Sequence, residues 1–294
     1  MHSQEGRGIH SHGYLQNATI LNFKNMKTIH SLSGGKTSSY MAVHYPADYN
    51  IFALVTIDDV KCKPLDHGIV KYASEKLGYD FIATAETDST LYAIRDLEQL
   101  LGKEIIWVKG ISFDALNKSK KVLPNMMWRF CTTEMKLRPI FEWWHQNINE
   151  KVKMGIGFRY DEKERAERLS ETFKTITGKR GTLNKWEDIE WREGWFPLIE
   201  DRLTHYPIYQ WAEKSGISFP ADSNCVGCFW KPVQQLRKNW DNEPKKMQWF
   251  SDQEKEKNAT WKKEMSFEEI KRVGLQTDFF FGTGSGCQAG YCTD

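Results

Sequence analysis

The stretch IHSLSGGKTSS, residues 29–39, runs from an apolar strand into the start of a helix and is the most informative segment of the chain. Gly34 and Gly35 allow the backbone to turn sharply and to approach an anion with no Cβ in the way. The helix that follows presents unpaired N–H groups and the positive end of its dipole. Further contacts to an anion can come from the side chains of Ser33, Lys36, Thr37, Ser38 and Ser39. The stretch therefore predicts a phosphate-binding loop, with a plain Gly-Ser turn between strand and helix as the alternative.

This loop is not a Walker A motif. That motif needs a glycine five positions before Gly35, and His30 occupies the position in this chain. The difference matters because the two kinds of loop hold different parts of a nucleotide.

Outward from the loop, apolar runs alternate with helical patterns. Strands are predicted at residues 28–32, 51–57, 81–84, 104–108 and 152–158. Helices are predicted at residues 37–46, 65–78, 88–101 and 136–148, where apolar residues recur at spacings of three and four. This alternation favours an α/β fold, a Rossmann-like parallel five-stranded sheet with helices on both faces.

The chain divides into three predicted segments. Residues 1–25 lack periodicity and are expected to form a flexible extension, and residues 26–178 are expected to form the α/β nucleotide-binding domain. Residues 179–294 are expected to be mainly helical, with helices at 207–215, 232–240, 247–263 and 266–273. Eight of the twelve tryptophans lie between residues 186 and 261, where they can serve as core or as a platform for stacking bases.

Composition excludes several classes of protein. The 294 residues allow a large core without disulfides, and 41 Lys and Arg against 39 Asp and Glu argue against a protein that coats polyanions. No apolar run approaches the roughly 18 residues of a membrane span, and no leader segment opens the chain, so a cytoplasmic protein with no membrane partner is expected. Six cysteines in such a protein are more often metal ligands, catalytic thiols or core residues than disulfides.

Two groups of side chains suggest further binding sites. Asp58 and Asp59 follow the second predicted strand, where they can bind ribose hydroxyls or Mg²⁺, or simply mark a loop or cap. Cys225 and Cys228 form a C-x-x-C turn rich in Asn and Gly, which places two thiolates on one side, as a tetrahedral metal or an iron–sulfur cluster requires. Four more cysteines are Cys131 in RFCTTEMKLRP, Cys287 and Cys292 in a Gly-rich tail, and Cys62, which is predicted to be an ordinary core or loop thiol.

Together these motifs resemble the phosphoadenylyl-sulfate (PAPS) reductase-like family of the adenine nucleotide α-hydrolase superfamily. The resemblance covers residues 27–230 through the SGG loop, the C-x4-K-x2-P segment that begins at Cys131, Gly157-x-Arg159 with Arg165 nearby, and C-x-x-C. Cys131 is followed by Thr132, where sulfonucleotide reductases carry a second cysteine, and the tail around Cys287 lacks the Glu and His of their catalytic element. The chain is therefore more similar to the phosphorothioation and phage-encoded branch.

The resemblance implies a HUP-like sheet and an ATP pyrophosphatase that adenylates a nucleic-acid acceptor. It implies catalytic roles for Lys36, Lys136, Arg159 and Cys287, and nucleotide or Mg²⁺ contacts from residues 33–39, Asp58, Asp59 and Arg165. It also implies a 4Fe–4S cluster on Cys131, Cys225 and Cys228, with the fourth iron open or bound by Cys287 or Cys292. A cysteine desulfurase is the implied sulfur donor.

Two alternatives differ in class. A sulfonucleotide reductase would bind adenylyl sulfate or its phosphorylated form, would use thioredoxin, and would grip the phosphosulfate with Lys136, Arg159 and Arg165. A non-catalytic nucleotide-binding subunit would instead use the cysteines for a structural zinc ion or leave them as free thiols.

Overall fold

The computed structural model describes residues 26–275, and a parallel sheet of five strands forms its centre. The strands of the described part are β1 (Thr28–Leu32), β2 (Tyr49–Leu54), β3 (Thr56–Ile57), β4 (Ala83–Thr84), β5 (Ile105–Lys109), β6 (Val152–Ile156), β7 (Thr172–Arg180), β8 (Leu183–Glu190) and β9 (Arg192–Trp195). The central order is β5-β2-β1-β6-β9, and every neighbouring pair is parallel. The predicted α/β fold with a five-stranded parallel sheet is confirmed.

Helices lie close to their predicted positions. They are α1 (Lys36–His44), α2 (His67–Leu77), α3 (Asp88–Leu101), α4 (Phe113–Ser119), α5 (Phe130–Thr132), α6 (Arg138–Asn147), α7 (Lys163–Ala166), α8 (Pro197–Glu200), α9 (His205–Lys214), α10 (Val233–Asn242), α11 (Pro244–Lys257) and α12 (Phe267–Arg272). A π-helical turn, Thr133–Leu137, joins α5 to α6. The helices predicted in both parts of the chain are present, with differences at their ends.

Both faces of the central sheet are covered, as the continuous apolar runs of its strands require. Phe52 and Leu54 of β2 belong to a core that includes residues of α2 and α3. Ile51 and Ala53, on the opposite face, belong to a core that includes residues of α6 and of β7. Because successive side chains of β2 point to opposite faces of the sheet, α2 and α3 lie on one face and α6 lies on the other.

A third core joins the helical part to the α/β part. It contains Val55 and Ile57 near β3, Phe113 of α4, and aromatic residues of α10, α11 and the segment after them. Trp240, Trp249 and Trp261 are buried there, and Trp191 is buried beside α6. These four tryptophans therefore serve as core residues, whereas Trp186 is half-exposed.

The fifth central strand is not the one that the sequence predicts. The predicted strand at residues 81–84 is reduced to β4, which pairs antiparallel with β3 in a separate two-stranded sheet. The fifth position is taken by β9, whose sequence REGW carries two charges and a glycine and gives no strand signal. Residues 172–190 form the hairpin β7–β8, and the predicted boundary at residue 178 falls inside β7. Strand β8 therefore lies in the region expected to be mainly helical.

The predicted N-terminal extension, residues 1–25, lies outside the described residues, as do Cys287 and Cys292. Between residues 26 and 275, no helix combines the length and the apolar composition that crossing a bilayer demands.

Candidate functional site

A pocket lies where the strand order of the central sheet changes direction. From β1 the sheet extends to β2 and β5 on one side, and the chain later adds β6 and β9 on the other. In open parallel sheets, ligands bind in the crevice beyond the carboxyl ends of the strands at such a switch point. The crevice here is a cavity of about 70 Å³, which we call the switch-point pocket. Its walls include Ser33, Ser38, Lys136, Gly157 and Arg192.

Two residues of the SGG loop, which comprises residues 33–39, line the switch-point pocket: Ser33 and Ser38. Gly34 has a φ of +73°, in the left-handed region that favours glycine. Gly35 is the N-cap of α1, no side chain caps that end, and the first turn carries no acidic residue. Ser38 Oγ accepts a hydrogen bond from the Ser33 N–H at 3.2 Å and fixes the turn. The loop therefore offers the amides of a helix N-terminus without a competing carboxylate, which suits a phosphate.

Lys36 and Arg159 add positive charge beside the loop. Lys36 Nζ lies 5.1 Å from the centroid of the Tyr209 ring, and Arg159 Nη1 lies 3.5 Å from Thr37 Oγ1. Burial lowers the pKa of His205, and the charges of Arg159 and Lys36 lower it further. Arg159 also pairs with Asp161 at 3.2 Å, so part of its charge is compensated.

A second pocket holds three of the cysteines predicted as cluster ligands. Cys131, Cys225 and Cys228 line one cavity of about 50 Å³, which we call the thiol pocket. Burial raises the pKa of all three thiols, and the pKa of Cys131 reaches about 11. The remaining wall is largely apolar and includes Val55, Phe113, Met135, Phe229, Phe250 and Trp261. The fold therefore gathers three thiols in one largely apolar pocket, although Cys131 is far in sequence from the other two.

Local structure holds these thiols in position. In the C-x-x-C turn the Cys228 N–H donates to the Cys225 carbonyl at 3.1 Å. Gly227 packs so closely on the Phe250 ring that any Cβ at this position would collide with it. Cys131 lies in α5, directly before the π-helical turn, and such turns are frequent at functional sites.

Lys136 lies between the two pockets. Lys136 and Thr132 line both cavities, so the cavities adjoin. Lys136 Nζ is 2.9 Å from Oε1 of Glu86, a carboxylate whose side chain is 0% exposed. Although burial acts to lower the pKa of Lys136, the Glu86 carboxylate and the Cys225 thiol raise this pKa above its usual value. Lys136 is therefore held by Glu86 between the SGG loop and three thiols.

The spacing of possible ligands bears on which metal group the thiols suit. Four thiolates around one zinc ion are about 3.8 Å apart, because each Zn–S bond is about 2.3 Å long. Within the part of the chain that the structure describes, no group of three or more His, Cys, Asp or Glu side chains could hold a single metal ion. In a 4Fe–4S cluster each cysteine binds a different iron, so the ligands are more widely spread. The group that these three thiols bind stays a prediction.

No protein-family model matches the chain, and no curated protein does. The similarity to the PAPS reductase-like family therefore rests on the residues themselves, in particular the SGG loop, the segment from Cys131 to Lys136, and the C-x-x-C turn. Membership of that family stays a prediction.

Three residues predicted to contact the nucleotide or Mg²⁺ have other partners. The Asp58 carboxylate accepts a hydrogen bond from Ser112 Oγ, and Asp59 Oδ1 accepts one from the Lys61 N–H at 2.8 Å, where it caps a 3₁₀ turn. Arg165 Nη1 lies 2.6 Å from Glu162 Oε1. None of the three lines either pocket, so their predicted roles have no support from the geometry.

The other predicted residues divide by location. Ser39 is fully buried and does not line the switch-point pocket. Cys62 is buried with its thiol 3.7 Å from the Lys245 carbonyl oxygen, as expected of a core thiol. Cys287, predicted as both a catalytic thiol and a cluster ligand, lies outside the described residues.

Sequence reasoning missed Glu86 and Arg192. It also missed Ser223, whose Oγ lies 3.5 Å from Ser33 Oγ. Glu86 lies two residues after β4, and this position at a strand end is its one signal in the sequence. Arg192 is 3% exposed, donates from Nε to the Ser170 carbonyl at 3.0 Å, and lines the switch-point pocket. A role for Arg192 in the site could not be predicted, because β9, which carries this residue, was not predicted.

Proposed function

We propose that this chain is a PAPS reductase-like ATP pyrophosphatase that adenylates a nucleic-acid acceptor and supports the transfer of sulfur to it. One observation carries the proposal. The switch-point pocket beside the SGG loop adjoins a pocket lined by three partly buried cysteines, and Lys136 lines both pockets. Nucleotide chemistry and sulfur chemistry at one place require such an arrangement.

In the proposed reaction an oxygen of the acceptor attacks the α-phosphorus of ATP. The bond between this phosphorus and the oxygen that bridges to the β-phosphate breaks, and pyrophosphate leaves into the SGG loop. The amides of α1 and the Ser33 hydroxyl hold the leaving group, and Lys36 and Mg²⁺ neutralise its charge. Lys136 stabilises charge on the side that faces the thiols. A partner such as a cysteine desulfurase supplies persulfide sulfur, and a thiol reductant reduces it to sulfide with formation of a disulfide. The sulfide then attacks the adenylated centre of the acceptor and displaces AMP.

The thiol pocket is proposed to hold a 4Fe–4S cluster. Cys131, Cys225 and Cys228 would bind three of its irons, and the fourth iron would be open or bound by Cys287 or Cys292. With that iron open, such a cluster supplies a site that can carry sulfide. Apolar side chains make up most of the wall around the thiols, and Lys136 offsets negative charge that collects there.

A basic and aromatic segment beside the thiol pocket supports a nucleic acid as the acceptor. Residues 115–133 contain four cations and no carboxylate. Met127 is 87% exposed and Trp128 is 54% exposed. We call residues 118–129 the basic rim. Arg129, at its end, lines the thiol pocket, so the rim leads to the site. Cations together with an exposed indole recognise single-stranded nucleic acid through charge and base stacking.

The release of pyrophosphate from ATP tests the proposal. The full chain, reconstituted anaerobically, is incubated with ATP, Mg²⁺ and single-stranded DNA or RNA. We expect release, and we expect Lys36→Ala to slow it about 100-fold because the charge on the leaving group loses its partner. Lys214→Ala, at the exposed end of α9, serves as the control and should leave the rate unchanged. No release with any nucleic acid would contradict the proposal.

The same preparation distinguishes the alternatives. Thioredoxin-dependent release of sulfite from adenylyl sulfate, without pyrophosphate release from ATP, would indicate a sulfonucleotide reductase. Nucleotide binding without turnover, in protein that contains zinc but neither iron nor sulfide, would indicate a non-catalytic subunit.

A further inference from the structure

The turn that carries the C-x-x-C cysteines also reaches the phosphate loop. Ser223 Oγ lies 3.5 Å from Ser33 Oγ, although the two serines are 190 residues apart in sequence. A Cβ added to Gly35 would lie 2.7 Å from Ser223 Oγ and 3.0 Å from its Cβ. Only a glycine at position 35 permits this approach. The second part of the chain therefore contributes a hydroxyl to the SGG loop.

The segment around Ser223 is fixed at both ends. Lys231 Nζ lies 2.6 Å from Asp222 Oδ1, and the two side chains are 0% and 4% exposed. Gln235 Nε2 donates to the other Asp222 oxygen at 2.7 Å. On the far side of Ser223, the Val226 N–H donates to the Ala85 carbonyl at 2.7 Å. Because both ends are held, Ser223 and Cys225 belong to one constrained turn.

The position of Ser223 allows it to contact a bound phosphate. Two hydroxyl oxygens that are 3.5 Å apart can both donate to one phosphate oxygen at ordinary distances of about 2.7 Å. Hydrogen bonds from a hydroxyl to an ionised oxygen are short and are stronger than neutral ones. An anion in the loop would thus bind Ser33 and Ser223 together.

We infer that Ser223 is a further ligand of the phosphate group bound by the SGG loop, and that phosphate binding adds a third restraint to the turn that carries Cys225 and Cys228. The inference rests on the proposed nucleotide site and adds a link from it to the thiol pocket. Bound ATP would restrain one wall of the thiol pocket through Ser223.

Binding of α,β-methylene-ATP tests the first half of the inference. This analogue cannot be cleaved between the α- and β-phosphates, and titration calorimetry measures its affinity for the full chain. We expect Ser223→Ala to weaken binding about tenfold, because one hydrogen bond to a charged oxygen is lost. The matched control is Ser215→Ala, at the end of α9, whose hydroxyl bonds to the Ala212 carbonyl instead. The control should bind like the wild type.

Hydrogen–deuterium exchange tests the second half. In the wild-type chain the analogue should slow exchange in peptides that cover residues 222–229, and Ser223→Ala should abolish this protection. The wild-type measurement needs no variant, so the inference stays falsifiable if Ser223→Ala unfolds. Equal affinity of Ser223→Ala and wild type, or no protection of these peptides in the wild type, would overturn the inference and leave the proposed function standing. If the wild type binds no analogue at all, both are overturned.

Discussion

At the scale of single residues, the partner of a buried ionisable side chain decides whether that side chain is charged. Lys136 stays charged because it faces Glu86. His30, in β1 beside the SGG loop, faces no carboxylate but stacks on Trp195 with the ring centroids 5.6 Å apart. Burial lowers the pKa of His30 to about 4, and the neighbouring Asn50 opposes the shift only in part. His30 is therefore neutral at pH 7 in the folded chain.

The burial of His30 predicts that acid destabilises the fold between pH 6.5 and pH 4. In this range the unfolded chain binds a proton at His30 and the folded chain does not, so the free energy of unfolding falls as the pH falls. The difference between 6.5 and about 4 corresponds to about 3 kcal/mol. Urea denaturation at several pH values measures it. His30→Leu should flatten the pH dependence, whereas His67→Leu, at the exposed start of α2, should not. A wild-type profile identical to that of His30→Leu would contradict the prediction.

At the scale of elements, local pattern decides which parts of the fold could be predicted. β1 and α1 were predictable because an apolar run, two glycines and a helical period follow one another within residues 28–44. β9 was not, because its four residues REGW become a strand only when β6 provides a parallel neighbour. The hairpin β7–β8 escaped prediction because its outer half is polar and exposed.

The hairpin β7–β8 is expected to gain its stability at its base alone. Phe173 is 5% exposed and stacks on Phe141 with the ring centroids 4.5 Å apart, whereas Trp186 is 51% exposed. Phe173→Ala should lower the free energy of unfolding by about 3–5 kcal/mol, because it leaves a cavity in the core. Trp186→Ala should change it by less than about 0.5 kcal/mol. Chemical denaturation measures both, and similar losses for the two variants would show that the outer half of the hairpin is not an independent, exposed ribbon.

At the scale of the whole molecule, the site consists of residues that the sequence keeps far apart. The SGG loop and the C-x-x-C turn could each be predicted from local sequence, and so could the role of Cys62. That Lys136 would pair with Glu86, and that Ser223 would touch the SGG loop, depended on packing across 50 and 190 residues of sequence. Such contacts follow from tertiary structure, on which local periodicity carries no information.

The thiol pocket predicts how iron distributes among cysteine variants. Full-length chain purified without oxygen should contain about four iron and four sulfide per molecule, as a 4Fe–4S cluster requires. Cys225→Ser and Cys228→Ser should lose most of both, because each removes one ligand. Cys62→Ser is the control and should keep them, since Cys62 lies apart from the pocket wall. Elemental analysis and acid-labile sulfide assays measure the content. Zinc in place of iron would contradict the prediction.

The basic rim predicts binding of single-stranded nucleic acid. Trp128→Ala should weaken binding of a fluorescent oligonucleotide about tenfold, because a stacked base is worth about 1–3 kcal/mol. The double variant Lys120→Ala and Lys121→Ala should also reduce the dependence of log affinity on log salt concentration by about 1.4, since each phosphate contact contributes about 0.7 on single strands. Anisotropy titrations at several salt concentrations measure both effects. Trp186→Ala, another exposed tryptophan, is the control, and an equal loss there would refute a specific role for the rim.

Strand β9 follows its neighbour β6 only after a long stretch of sequence, and this order affects the chain during its synthesis. β6 ends at residue 156, and its outer neighbour β9 is complete only at residue 195. At about 5–20 residues per second, translation leaves the outer edge of β6 without its partner for about 2–8 s. During that interval its free N–H and C=O groups can pair with a strand of another nascent chain. Growth temperature and translation speed should therefore influence the yield of native protein through this one edge.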